Sequence, residues 1–172
     1  MLKAYEASGN VLFEEKQRFP KWLNWLLVGV ILWTLAIILI EGFTGPVEQR
    51  KDIWLALAIA MPIEIPLIIL FRYVQLEKIV TSNGFYYRWK PWQKRYRCIE
   101  KETIESFEAR RFPFMSYGMG WFPGYGRYHN AGSGEGLQLY LYNGKRFYFS
   151  TADIDSFKRA MRHLLNPLQK QG

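Results

Sequence analysis

Residues 22–40 read WLNWLLVGVILWTLAIILI and residues 53–71 read IWLALAIAMPIEIPLIILF, and these two apolar stretches decide the fold of the 172-residue chain. Each stretch is 19 residues long. As an α-helix, at about 1.5 Å per residue, each extends roughly 28 Å, close to the ~30 Å hydrocarbon thickness of a bilayer. Backbone amides in lipid must find partners within their own segment. We therefore expect two transmembrane helices, despite Pro62 and Pro66 in the second.

The charge distribution predicts the orientation of these two spans. The connecting residues 41–52 have a formal charge of −1 and the first 21 residues have +1, whereas residues 72–172 carry seventeen Lys and Arg against eight Asp and Glu. Lys and Arg near the ends of spans stay in the cytoplasm. Both termini are therefore expected inside and the short connection outside.

After the second span the hydrophobic period changes from helical to alternating, which indicates β-strands. Proline lacks the donor that a central strand requires, so the second strand should end at Pro91. The pattern predicts a hairpin and a third strand over residues 74–80, 85–90 and 94–99, with turns at Ser82-Asn83-Gly84 and near Pro91.

The register of a second hairpin, residues 137–150, can be argued from its turn. A two-residue Asn143-Gly144 loop would put the leucines on the face opposite Phe147 and Phe149. A three-residue loop that begins at Tyr142 instead pairs Leu139 with Phe147 and Leu137 with Phe149, and gives Gly144 a left-handed bulge position. We favour the three-residue loop because it places all the large apolar side chains on one face.

An amphipathic helix is predicted at the end of the chain. Its apolar positions follow helical spacing, Ser150-Thr151 can cap it, and Pro167 ends it. These positions are Ile154, Phe157, Met161, Leu164 and Leu165. Several antiparallel strands followed by one such helix predict an α+β domain, a small curved antiparallel sheet or β-barrel plugged by the helix.

The whole arrangement resembles the bacterial membrane-anchored PH-like (pleckstrin-homology-like) proteins with two N-terminal transmembrane helices. The residues that carry the resemblance are Phe13-Glu14-Glu15-Lys16-Gln17-Arg18-Phe19 ahead of Trp22 and Trp25, the paired spans, Gly118 to Trp121, and Gly144-Lys145-Arg146 leading through Ser150-Thr151 into the last helix. The insert of residues 112–136 is longer and more aromatic than the family pattern. The resemblance implies a PH-like fold at the bacterial inner membrane more than it implies an activity.

With this resemblance the predicted organisation has five parts. They are a cytoplasmic N-terminal segment (1–21), transmembrane helix 1 (22–40), a periplasmic loop (41–52), transmembrane helix 2 (53–71) and a cytoplasmic PH-like domain (72–172).

The chain offers little for catalysis or cofactor binding. It has one cysteine, Cys98, and two histidines, His129 and His163, with no HExxH or CxxC motif. Residues 132–136 are glycine-rich but precede a strand rather than a helix, so we interpret them as a connector. We expect no enzyme activity and predict no catalytic, metal-binding or cofactor-binding residues.

A basic run alternates with aromatic residues after the second span and is the first candidate contact site. Its cations are Arg88, Lys90, Lys94, Arg95 and Arg97. Such a pattern suits anionic lipid headgroups, an acidic partner surface or nucleic acid stacking, and it could also be a solvated strand face. Because the second span holds the domain near lipid phosphate, we favour headgroups or an acidic partner, and nucleic acid is disfavoured.

The glycine- and aromatic-rich insert is the second candidate site. Its side chains could pack on the domain's own core, enter the bilayer interface or bind another protein, and we predict contact with a partner or the membrane. The residues predicted for this contact are Phe114, Tyr117, Trp121, Phe122 and Tyr125.

Glu64 is the one ionisable residue within a span, between Pro62 and Pro66. Burying a charge in lipid is costly, so such a residue invites a functional interpretation. It could contact another subunit, relay protons, or lie protonated near the interface. We favour structure or partner contact over transport.

Two functions follow from these features. The leading one is a non-enzymatic accessory or scaffolding subunit of a larger membrane protein complex, respiratory or photosynthetic for example, that binds other membrane protein subunits through its hairpin and cytoplasmic domain. The alternative is a stand-alone membrane regulator or sensor that binds anionic lipid headgroups.

Overall fold

The computed structural model describes residues 4–5, 9–46, 50–113, 116–132 and 134–166, and it has an α+β fold. The chain divides into two compact units. One comprises Phe19–Tyr73, and the other combines Met1–Arg18 with Val74–Gly172.

The first unit consists of two helices joined by a short connection, α1 (Lys21–Thr44) and α2 (Arg50–Tyr73). Both are long and apolar enough to cross a membrane, by length and composition. Pro62 and Pro66 lie inside α2, as expected. The connection is shorter than the predicted 41–52, because α1 continues to Thr44 and ends where the Gly45 N–H binds the Glu41 carbonyl at 2.8 Å.

The second unit contains two five-stranded sheets and one helix. The first sheet has the order β1-β5-β4-β3-β2 and the second has the order β6-β9-β10-β8-β7. The strands are β1 (Ala4–Tyr5), β2 (Val11–Arg18), β3 (Gln75–Thr81), β4 (Gly84–Lys90), β5 (Tyr96–Glu100), β6 (Ile104–Arg111), β7 (Gly118–Phe122), β8 (Gly126–Asn130), β9 (Glu135–Leu141) and β10 (Arg146–Ser150), and the helix is α3 (Ile154–Leu165).

The predicted hairpin register is confirmed. Leu139 pairs with Phe147 and Leu137 pairs with Phe149 across β9 and β10. The three-residue turn closes with a bond from the Leu141 N–H to the Lys145 carbonyl at 3.0 Å, and Gly144 has a φ of 76°. The hairpin of β3 and β4 around residues 82–83 is also confirmed.

The N-terminal segment forms a strand that the sequence analysis did not predict. β2 pairs antiparallel with β3 along its length, and Arg18 lies opposite Gln75. β2 leads into α1, and β3 follows α2, so adjacent strands of one sheet carry the chain into and out of the helical hairpin.

The insert after β6 is a second departure from expectation. It contains the hairpin of β7 and β8, which was not predicted, and β8 pairs in parallel with β10. The second sheet is therefore mixed rather than purely antiparallel. The α+β class is confirmed, while the PH-like and barrel assignments stay predictions.

Both sheets and α3 contribute to one apolar core. Val80 and Phe85 come from the first sheet, Leu139 and Phe149 come from the second, and Phe157 comes from α3. The predicted helix is confirmed, but its N-cap is Asp153, whose carboxylate accepts the Ser156 N–H at 2.9 Å. The predicted stop at Pro167 lies outside the described residues.

Candidate functional site

Two of the five predicted contact cations are already paired inside the domain. Glu77 on β3 is 1% exposed, and both its oxygens accept cations. Arg88 Nε lies 2.5 Å and Lys90 Nζ lies 2.8 Å from the carboxylate, and the Tyr96 hydroxyl donates to it at 3.0 Å. Burial opposes ionisation, but these hydrogen bonds outweigh it and lower the pKa of Glu77. Arg88 and Lys90 therefore neutralise a buried carboxylate of their own domain.

The other three predicted cations lie in different environments. Lys94 and Arg95 are exposed in the connection between β4 and β5. Arg97 is half-buried on β5 and hydrogen-bonds the buried Tyr87 hydroxyl, whose pKa is raised mainly by burial. The structure thus does not present the five residues as one continuous basic surface.

A fully buried lysine was missed by the sequence analysis. Lys78 is 0% exposed on β3, and its ammonium lies 2.8 Å from the Glu15 carboxylate of β2. It also donates to Gln17 Oε1 at 3.3 Å and to the Ser150 carbonyl. Burial lowers the pKa of Lys78 to about 8 even though Glu15 opposes this shift. The burial of Lys78 could have been predicted from the alternating pattern of β3, because Lys78 lies on the same strand face as Leu76 and Val80.

Glu15 joins this cluster to the start of α3. Its two oxygens accept the Thr151 hydroxyl at 2.6 Å and the Ala152 N–H at 2.7 Å. One carboxylate therefore ties β2, β3 and the segment before α3 together, which gives this cluster a structural role.

His129 is a buried, neutral histidine rather than an acid–base residue. The Trp89 indole N–H donates to His129 Nδ1 at 2.9 Å, so the proton of the neutral ring is on Nε2. Burial, and then the charges of Arg97 and Arg127, lower its pKa to about 3. The ring stacks on Phe149 with centroids 4.9 Å apart. Within the described ranges no three His, Cys, Asp or Glu side chains group as a metal site.

The aromatic insert packs largely on its own domain. Phe112, Tyr125 and Tyr148 form a buried cluster against which Phe122 packs. Tyr125 is 9% exposed, and its hydroxyl donates to the Arg111 carbonyl at 2.8 Å, so it offers little surface to a partner.

Other insert residues differ in exposure. Trp121 is 68% exposed, and Tyr117 is half-buried. Phe114, also predicted as a contact residue, lies outside the described residues.

β7 is an edge strand that lacks the usual protection against pairing with another chain. It reads GMGWF, and its alternate residues Met119 and Trp121 are 46% and 68% exposed. Among the described strands, the other edges are short or charged: β1 has two residues, and β2 (VLFEEKQR) and β6 (IESFEARR) each carry four charged residues. Charges and short length are how sheet edges avoid strand addition. β7 has neither protection.

A cationic cavity lies at the turns that follow β7 and β9. It has a volume of about 380 Å³, and its lining includes Trp121, Arg127, Lys145 and Arg146. The sequence does not predict this cavity, because β8 and β10 are not consecutive and only their parallel pairing places Arg127 beside Phe147.

Glu64 lies in the helical unit on α2. Its Oε2 atom is shielded and has no hydrogen-bond partner among the described residues. The expected contact of Glu64 with another subunit stays a prediction.

In comparisons with known proteins, no family model, no curated protein and no solved structure matches this chain.

Proposed function

We propose that this protein is a non-enzymatic accessory or scaffolding subunit of the bacterial inner membrane, which binds another protein of a membrane complex. The observation that carries this proposal is the uncharged edge strand β7 with exposed Met119 and Trp121. An extended segment of a partner adds to such an edge through backbone hydrogen bonds, and side-chain pockets supply specificity.

The helical hairpin supports the membrane part of the proposal. Almost none of the apolar side chains of α1 and α2 are buried within the chain. Only 6% of the residues in the most hydrophobic stretch of α1 are buried, and none of those in α2. Lipid or helices of other subunits would cover these surfaces. α1 begins just after β2 and α2 ends just before β3, and these two strands are neighbours with Arg18 opposite Gln75, which agrees with a hairpin whose two outer ends lie on one side.

The charge bias supports a cytoplasmic location for the β domain. Residues 72–172 carry seventeen Lys and Arg against eight Asp and Glu, while residues 41–52 are net negative. Cytoplasmic segments next to spans are enriched in Lys and Arg. The domain would therefore meet its partner from the cytoplasm.

The test is purification of the tagged full chain from its native membranes in mild detergent. The variant Met119→Lys/Trp121→Lys puts charge on the edge of β7, and Trp92→Lys is the matched control because Trp92 is also an exposed tryptophan, at 55%. We expect a stoichiometric protein partner with the wild-type chain, at least a tenfold loss with the double variant, and no loss with Trp92→Lys.

Hydrogen–deuterium exchange of the same samples makes the test specific. Strand addition predicts that the outward amides of residues 118–122 exchange more slowly in the complex than in the isolated chain. A monodisperse monomer without a partner, or a complex that survives the double variant with no protection of β7, would overturn the proposal.

A further inference from the structure

The cavity between the β7–β8 turn and the β9–β10 turn concentrates positive charge. Arg127, Lys145 and Arg146 contribute to its lining, which includes no acidic residue. The ion pairs of the described residues use other cations, namely Lys16, Lys78, Arg88, Lys90 and Arg110. All three cations are exposed, and the positive potential of such a cluster attracts anions.

The backbone brings the residues that carry these cations to one end of the sheet. Gly126 has a φ of 70°, and a Cβ there would lie 2.3 Å from the Arg146 carbonyl oxygen. Only glycine permits this close approach of β8 to β10. The parallel pairing sets Arg127 opposite Phe147, so the backbones of Arg127, Lys145 and Arg146 lie close together at one end of the sheet.

The two turns leave the cavity open. Gly124 and Gly144 have φ values of 80° and 76°, and a Cβ at either position would meet no atom within 4 Å. Arg146 is only loosely held, since its guanidinium lies 3.5 Å from the Gly124 carbonyl and 5.5 Å from the Tyr140 ring. A ligand can therefore enter, and Arg146 can turn towards it.

The chemistry of the lining identifies the class of ligand. Guanidinium groups bind phosphate through paired N–H donors, and a lysine adds a point charge. The exposed indole of Trp121 offers an apolar face at the same cavity. A volume of about 380 Å³ is within the range of small-molecule sites.

We propose that Arg127, Lys145 and Arg146 form a binding site for a phosphate monoester or diester, with its organic part against Trp121. The ligand is either the headgroup of an anionic lipid or a soluble phosphate ester, which present the same chemistry to the cavity. This site differs from the basic run of β4 and β5, where Arg88 and Lys90 are paired with Glu77.

The experiment is ³¹P NMR titration of the full chain in a non-ionic detergent, with glycerol 3-phosphate and dihexanoyl phosphatidylglycerol as the two probes. Arg127→Gln/Lys145→Gln removes two cations of the cavity. Lys94→Gln/Arg95→Gln removes two exposed cations elsewhere and is the matched control. We expect binding at least tenfold weaker in the first variant, within twofold of wild type in the second, and weaker as salt increases.

The two probes separate the sources of the phosphate. Equal binding of both indicates a soluble ester, whereas at least tenfold tighter binding of the phosphatidylglycerol indicates a lipid headgroup. The proposal is overturned if neither probe binds, or if the cavity variant binds as tightly as the wild type. It is also overturned if the Lys94/Arg95 control loses as much binding as the cavity variant. Met119 and Trp121 are intact in both variants, so this outcome is independent of partner binding at β7.

Discussion

Lys78 shows how a single buried charge shapes the stability of the β domain. Its ammonium is fully buried between Glu15, Gln17 and the Ser150 carbonyl. Glu15 stabilises the charged form, but burial dominates and lowers the pKa from 10.5 to about 8. The cluster thus holds β2 to β3 at an electrostatic cost.

This cost predicts a pH dependence of the free energy of unfolding. Between about pH 8 and pH 10.5 the unfolded chain keeps a proton on Lys78 that the folded chain has lost, so the contribution of Lys78 to stability rises with pH. At roughly 1.4 kcal/mol per pH unit, the gain between pH 8 and pH 10 is about 2 kcal/mol.

Urea unfolding of the full chain in detergent, compared with Lys78→Met at each pH, measures this contribution. The comparison is needed because burial also raises the pKa of Cys98, which adds a pH dependence of its own to both proteins. The wild type should gain stability relative to Lys78→Met as pH rises, and Lys94→Met serves as an exposed-lysine control. A difference between wild type and Lys78→Met that is flat from pH 8 to pH 10 contradicts the assignment.

At the residue scale the sequence revealed side-chain direction better than side-chain partners. The alternation in residues 74–80 puts Leu76, Lys78 and Val80 on one strand face, and all three side chains are buried, although the burial of Lys78 was not predicted. That Glu77 pairs with Arg88 and Lys90 could not be read from the sequence, because it depends on which strands are neighbours and on the register between them. The five predicted contact cations therefore differ in their environments, and their contact with headgroups or an acidic partner stays a prediction.

At the scale of elements, local signals predicted the hairpins and non-local pairing escaped prediction. The turn at Tyr142-Asn143-Gly144 sets the register of its own two strands, so the sequence was sufficient. β2 instead pairs with β3, although both helices lie between these two strands in the sequence. β8 pairs in parallel with β10, although β9 lies between them in the sequence. No turn motif connects the two strands of either pair directly, so neither pairing could be predicted from local sequence.

β2 is expected to be an integral part of the domain and not an appended segment. The Phe13 ring stacks on Phe157 of α3 with centroids 5.1 Å apart and an angle of 9°. Truncation of a partly buried phenylalanine removes apolar contacts and leaves a cavity. Phe13→Ala should lower the free energy of unfolding by about 2–3 kcal/mol.

Val11→Ala is the control on the same strand, because Val11 is 58% exposed, and it should cost less than about 0.5 kcal/mol. Urea unfolding followed by tryptophan fluorescence measures both variants. If Phe13→Ala is as stable as Val11→Ala, β2 does not contribute to the core as described.

For the whole molecule, composition alone located the two helices and the basic domain. Nineteen-residue apolar stretches and a charge bias are properties that need no tertiary information. The division into two sheets around a shared core, and the place of the N-terminus in the first sheet, depend on contacts between distant segments. These became visible only in the structure.

The central claim is that the two helices form a transmembrane hairpin with the β domain in the cytoplasm. Labelling with a membrane-impermeant maleimide tests it most directly, in a Cys98→Ser chain that carries one new cysteine, Pro46→Cys in the connection or Lys94→Cys in the β domain, both at exposed positions. Our account predicts that Pro46→Cys is labelled in right-side-out membranes and Lys94→Cys only after they are permeabilised. Labelling of Lys94→Cys without permeabilisation, or equal labelling of both cysteines, would contradict it.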